Sequence, residues 1–167
     1  MITLFNVVSS DGFIADENGL EHFIPDTLWA TTLAFLKNYD AIVMGRKTYE
    51  AIQKYPTELL NPFEQLALRK IVLSSNHATA VKPVYVLAHS VRDAEASSNN
   101  LLLSSGPETN KRFLEAGSVD FIVLHRLPLP IGKGMEPFPG DTFVNFALIS
   151  KTDIGQGVIE ERYRAVK

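Results

Sequence analysis

The chain has 167 residues, 46% of them hydrophobic, a formal net charge of −3 and no cysteine. That length and apolar content suit one globular domain spanning 1–167 around a single sizeable core. The slight acidity gives no general attraction to nucleic acid or anionic membrane, and the missing thiols exclude disulfides and cysteine metal sites.

The chain opens with the apolar run "ITLFNVV" (2–8), which reads as a strand. No basic segment precedes it and no apolar run approaches membrane-spanning length, so a cytoplasmic protein is expected. "DTLWATTLAFLK" (26–37) follows as a helix, with Trp29, Leu33 and Leu36 on one face and Asp26 as its N-cap after Pro25. Then come a strand "AIVM" (41–44) and a short helix "KTYEAIQK" (47–54). Strands "KIVL" (70–73) and "VYVL" (84–87) precede a helix "SVRDAEA" (90–96). The strand "LLL" (101–103) leads into "PETNKRFLEAG" (107–117), with Pro at the first helical position and Gly just past the end. A strand "FIVLH" (121–125) and a Pro/Gly loop "PLPIGKGMEPF" (128–138) come next. "TFVNFALIS" (142–150) and "VIEERYRAV" (158–166) close the chain as an antiparallel hairpin. The near-continuous apolar strands are those of a parallel sheet covered on both faces, so an α/β domain with a mixed, mostly parallel sheet is expected.

"AIVMGRKTYEAI" (41–52) carries the sharpest local question. Gly45, Arg46, Lys47 and Thr48 stand between a buried strand and a helix, where α/β domains bind ligands. Free amides and two cations suit a phosphate, although a tight turn with a solvated first helical turn would use the same letters. No glycine stands ahead of Gly45 at Walker A spacing, and "GKGMEP" and "GQGVIE" lack the third glycine of a dinucleotide fingerprint. Two other strand ends repeat the theme: Ser74, Ser75 and Asn76 after "KIVL", and Ser104, Ser105 and Gly106 after "LLL". Three small polar strand ends favour a shared anionic ligand over three independent turns.

His22, His77, His89 and His125 show no metal-ligand spacing, so no metal is expected, and no G-x-S-x-G elbow marks a hydrolase. Asp11 and Asp26 are the carboxylates nearest the presumed ligand edge; Asp-Gly as a turn and Asp26 as a cap are the plainer alternatives.

In order and spacing, "VVSSDGFIAD", "AIVMGRKTYEAI", "RKIVLSSN", "SSGPETNKRFLEAGSVDFIVLHRLPLPIGKGMEPF" and the terminal hairpin resemble the dihydrofolate reductase-like superfamily. The likeness is greatest to its bacterial branch containing the reductase domain of riboflavin biosynthesis. It implies that superfamily's fold: a mixed, mostly parallel central sheet flanked by helices and closed by the C-terminal hairpin. It also implies NADPH as cofactor. Gly45, Arg46, Lys47 and Thr48 would hold it, with Arg46 at the 2′-phosphate, where a planar guanidinium offers paired donors. Ser75, with Ser74, matches the second 2′-phosphate contact. Ser105 and Gly106 match the turn that lets backbone approach the cofactor, and the amides of Glu108 and Thr109 would meet the pyrophosphate.

The departures lie at that turn and at the substrate. Ser105 replaces the first of two glycines, so its Cβ is expected to narrow the cofactor's approach. Ser104 replaces a substrate-binding Glu, and Phe23 a Trp near the substrate edge. Asp11, Phe23 and Ser104 are the substrate candidates. Asp26 is the catalytic candidate, one position from the carboxylate with which dihydrofolate reductase holds a pterin-like ring.

The activity implied is NADPH-dependent hydride transfer to a small pyrimidine- or pterin-like substrate, similar to that of 5-amino-6-(5-phosphoribosylamino)uracil reductase or dihydrofolate reductase. The alternative is a non-catalytic NADP-nucleotide-binding domain. Riboflavin-type members imply a homodimer, with Phe143, Phe146 and Tyr163 of the hairpin as candidate interface aromatics.

Overall fold

The computed structural model describes residues 1–138 and 140–166. Eight strands form one sheet in the order β4-β3-β2-β5-β1-β6-β8-β7. The strands are β1 (Ile2–Val8), β2 (Ala41–Gly45), β3 (Arg69–Leu73), β4 (Tyr85–Ala88), β5 (Leu101–Leu103), β6 (Phe121–Arg126), β7 (Phe146–Asp153) and β8 (Ile159–Ala165). β1 to β6 run parallel; β8 pairs antiparallel with β6 and β7. The closing hairpin is therefore as expected, although its first strand starts later, at Phe146. Residues 140–145 form a 3₁₀ turn instead.

Strand alternation separates two apolar layers. Leu4, Val8, Val43, Ile71, Leu103, Ile122 and Leu124 face one side. They pack there against α4 (Val91–Glu95) and α5 (Pro107–Glu115) through Ala94 and Phe113. Phe5, Ile42, Met44, Val72, Leu102 and Val123 face the other. That second face is covered by α1 (Leu28–Leu36), α2 (Arg46–Ile52) and α3 (Thr57–Glu64) through Phe35, Leu36, Tyr49, Leu60 and Phe63.

α3 has no counterpart in the sequence reading. Pro56 and Pro62 bracket its pattern, and Pro62 lies inside the helix, removing one backbone bond. Burial of Leu60 and Phe63 offsets that loss, so tertiary packing overrides local propensity. Asp26 does not cap α1: Thr27 is the N-cap and makes no side-chain cap bond. Backbone turns from Leu28 to Pro25 and from Trp29 to Asp26 begin the helix instead.

β5 lies between β1 and β2, whose following helices cross the second face, while its own helix α5 crosses the first. A crevice opens at such a switch point, outside the carboxyl ends of the strands. The turns after β2 and β5 flank it, and the turn after β3 lies one strand further out along the same edge.

Candidate functional site

The turn after β2 and the turn after β5 are stitched together by Ser105. Its Oγ accepts the Gly45 amide at 2.9 Å and lies 3.3 Å from Thr48 Oγ1. Ser105 is only 5% exposed, so its side chain fills the gap between the two strand ends. The hydroxyl of this serine is therefore turned inward, toward the β2 turn. Thr109, on the first turn of α5, presses against the same glycine: a Cβ built on Gly45 would collide with Thr109 Oγ1. Glycine at 45 is required by close approach of a neighbouring turn.

Beneath this junction runs a buried amide chain. Asn6 Nδ2 donates to the Ser105 carbonyl, and Asn110 Nδ2 donates to Asn6 Oδ1 and to the Pro137 carbonyl, each at 3.0 Å. Asn6 and Asn110 thus hold the β5–α5 turn against β1 and the loop after β6. Neither was picked out from the sequence. The available signal was one Asn inside the otherwise apolar run "ITLFNVV", since a buried amide needs fixed partners.

On the solvent side the charges are arranged in pairs. Arg46 Nη1 donates to Glu50 Oε1 at 2.6 Å, and Lys47 Nζ lies 3.6 Å from Glu108 Oε1, bridging the two turns. All four side chains are well exposed. An exposed pair one helical turn apart is worth about 0.3–0.5 kcal/mol, so Arg46 can exchange Glu50 for a phosphate at little cost. Gly106 is the extended N-cap of α5 and Pro107 follows it. Glu108 and Thr109 therefore supply first-turn amides that the helix itself cannot satisfy. These residues fit an anionic dinucleotide.

The turn after β3 forms the outer wall. Ser74 is buried: its Oγ shares a hydrogen bond with Thr79 Oγ1 at 2.8 Å and accepts the Asn76 amide at 3.2 Å. Ser75 is exposed. Of the two serines, Ser74 shapes the turn and Ser75 faces solvent.

The substrate candidates do not converge. Asp11 is committed to the chain: it accepts the Ser9 hydroxyl and the amides of Ile131 and Gly132. The Ser9 hydrogen bond is the largest influence lowering its pKa, with the two loop amides adding to it against some desolvation. Asp11 borders a hollow of about 270 Å³ with Val8, Leu124, Phe138 and Tyr163, on the first face. Phe23 packs with Leu28, Leu127, Val158 and Val7, beside the start of α1. Asp26 is exposed at that same start, with no side-chain partner among the described residues. Ser104 continues the β5 ladder through its amide to the Val43 carbonyl at 2.9 Å. The alternation of β5 sets Ser104 on the second face, the side of α1. Phe23, Asp26 and Ser104 thus share one side of the sheet, and Asp11 lies on the other.

The rim of that side is closed by aromatics. Trp29 Nε1 donates to the Leu59 carbonyl at 2.9 Å, its ring meets Tyr55 edge-on at 5.8 Å, and Tyr55 Oη donates to Glu21 Oε2 at 3.1 Å. These contacts join α1, α3 and the loop before α1.

The RibD C-terminal domain model matches residues 1–159. The chain belongs to the RibD C-terminal domain family. Solved structures agree on the fold. The first is a diaminohydroxyphosphoribosylaminopyrimidine deaminase/5-amino-6-(5-phosphoribosylamino)uracil reductase from Thermotoga maritima, with TM-score 0.72 and 17% identity. The match covers 99% of this chain but 56% of that longer one. A putative riboflavin biosynthesis protein from Shewanella sp. PV-4 is 22% identical with TM-score 0.71, and 99% of each chain is covered. A dihydrofolate reductase from Enterococcus faecalis, complexed with NADP(H) and RAB-propyl, is 18% identical with TM-score 0.72, covering 100% of this chain and 97% of that one. No curated protein matches the sequence. The dihydrofolate reductase-like fold of this RibD C-terminal domain is thus established by family and architecture together. Among the described residues, no helix is long and apolar enough to cross a membrane.

Proposed function

We propose that this RibD C-terminal domain is an NADPH-dependent reductase that passes hydride to a small pyrimidine- or pterin-like ring. The observation that carries the reading is the junction of the Gly45–Thr48 and Ser105–Thr109 turns at the sheet's switch point, with Ser75 at the next strand end along the same edge. Family membership and structural neighbours that include a uracil reductase and an NADP(H)-bound dihydrofolate reductase support it. Arg46 and Ser75 would hold the 2′-phosphate, and the Glu108 and Thr109 amides the pyrophosphate. The bound dinucleotide supplies the hydride; the chain's part is to orient it beside the ring and exclude water. Asp26 and Ser104 would meet the substrate from the α1 side. The Trp29–Tyr55–Glu21 closure favours a compact ring over one with a long substituent there.

A homodimer belongs to the same proposal. β7 is an edge strand exposed almost throughout, with Leu148 and Ile149 about half exposed. An uncovered apolar edge of this kind invites pairing with another chain. The aromatics expected at an interface face the core instead: Phe143 lies 6.3 Å from Phe146 and 4.9 Å from Tyr163, packed on the first layer. Light scattering at micromolar concentration tests the dimer, and a mass near 18.5 kDa rejects it.

The activity is tested by following NADPH absorbance while pterins, aminopyrimidines and quinoid compounds are offered. Consumption with a ring substrate supports the reductase. Tight NADPH binding without consumption on any of them supports the alternative, a nucleotide-binding domain without turnover.

A further inference from the structure

Beyond Ser75, the loops after β3 and β4 bring two imidazoles together. The His77 and His89 rings lie 3.9 Å apart between centroids, tilted by 33°. Strand register fixes where this pair stands. Gly45 pairs with Leu73, and Leu73 with Ala88, so Arg46, Ser74 and His89 are the next positions along three adjacent strands. Two strand spacings, about 10 Å, separate the backbones of Arg46 and His89, and the Ser75 turn lies between them.

The tautomer of His89 follows from its partner. Nδ1 is 2.9 Å from the Ser74 carbonyl, which can only accept, so Nδ1 carries a proton and Nε2 is left for a second proton or a ligand. His77 is exposed, and its ring nitrogens have no partner among the described residues. Two neutral imidazoles stack without penalty. Charging them at this separation is unfavourable unless an anion lies against the stack. The charged group in contact with them is Asp93 on α4; Arg46 begins α2 two strands away and is paired with Glu50. The Asp93 carboxylate is held at the start of α4 by the Ser90 hydroxyl and the His89 and Ser90 amides, and its charge acts on His89, so one anion already stands on the α4 side of the pair. The loop from Ser74 to Thr79 adds only uncharged groups besides His77 itself.

We propose that the His77–His89 stack is a second, proton-dependent anchor for the phosphate monoester held by Arg46 and Ser75, so that preference for the 2′-phosphorylated dinucleotide grows as the imidazoles charge. This rests on the NADPH reading of the site. A phosphate monoester has its second pKa near 6 and imidazole titrates in the same region, so a dianion and an imidazolium coexist best between roughly pH 6 and 7.

The test is calorimetric titration with NADP⁺ and NAD⁺ at about pH 6.3 and about pH 8.5. It uses the unmodified chain, Arg46→Ala, and the double variant His77→Gln/His89→Gln, with circular dichroism confirming that each is folded. The NADP⁺/NAD⁺ affinity ratio of the unmodified chain should be about tenfold larger at the lower pH, the scale of one charge-assisted hydrogen bond. In the double variant the ratio should not rise. Proton NMR should show NADP⁺, and not NAD⁺, raising the titration midpoints of two of the four histidines. A pH-independent ratio in the unmodified chain, or the same rise in the double variant, overturns the proposal. If NADP⁺ is still preferred and Arg46→Ala abolishes that preference, the cofactor reading survives such a failure. Equal affinity for both dinucleotides at each pH overturns both.

Discussion

Ser105→Ala isolates what holds the β2 and β5 turns together. The substitution keeps Cβ and removes the Oγ that accepts the Gly45 amide at 2.9 Å and lies beside the Thr48 hydroxyl. Gly45 is buried, so its N–H is left without water as a substitute partner. An orphaned buried donor costs about 1–3 kcal/mol, whereas an exposed hydroxyl in the same place would cost little. In a domain of this size that lowers Tm by roughly 3–10 °C. Ser105→Gly should cost about 0.5–1 kcal/mol more through backbone entropy. It should also weaken NADPH binding, because the glycine relieves no crowding and loosens the Gly45–Thr48 turn. Urea unfolding followed by circular dichroism measures the first effect and calorimetric titration the second. A Ser105→Ala variant within about 0.5 kcal/mol of the parent would show that the Gly45 amide does not depend on this serine. Tighter NADPH binding by Ser105→Gly would restore the crowding interpretation.

Gly45→Ala should destabilise by about 1–3 kcal/mol through the Thr109 clash, and adding Thr109→Ala should recover most of it; additive losses in that cycle would contradict the contact. Glu161 predicts an acid limb. Burial opposes its ionisation, but hydrogen bonds from Arg126, Lys151 and Tyr163 prevail and hold its pKa at about 2 against an ordinary 4.5. A depressed carboxylate stabilises the fold fully above its unfolded pKa, and that contribution is lost as pH falls through the folded value. At most about 3 kcal/mol should therefore disappear between roughly pH 5 and pH 2. An unchanged acid limb in Glu161→Gln, measured by urea unfolding across that range, would assign it to other groups. His125 adds a limb at higher pH: burial lowers its pKa, only partly countered by Glu160, so stability should begin to fall below about pH 6.5. Replacement by Gln should flatten that onset if His125 causes it.

The strands that end in functional segments were legible because each apolar run is short, continuous and punctuated by Gly or Ser, whereas their order in the sheet came only from the structure. Gly45, Ser75 and Gly106 could be placed at strand ends for the same reason. α3 was hidden because local rules give Pro62 no place in a helix, while the burial of Leu60 and Phe63 is a tertiary fact. Ser105 was visible as a departure from a glycine pattern, but its direction was not. Only the approach of Gly45 and Thr48 from a strand 60 residues away shows that its hydroxyl turns inward. Asn6 and Asn110 are 104 residues apart, and their shared hydrogen bond has no local signature. Asp11 was read toward a ligand from its position just beyond the first strand; the Ile131 and Gly132 amides that it accepts come from a loop 120 residues later and have no local signature.

The most direct test of the central claim is a tryptophan-fluorescence titration of the chain and of Arg46→Ala with NADPH and NADH at neutral pH and low salt. Trp29 is the chain's single tryptophan, so its emission is read without overlap from another indole. The account predicts tighter binding of NADPH than NADH. Arg46→Ala should remove most of that difference, a loss of roughly 1.5–3 kcal/mol, while leaving stability within about 0.5 kcal/mol because the Glu50 pair is exposed. Equal affinity for the two dinucleotides in the unmodified chain would contradict it.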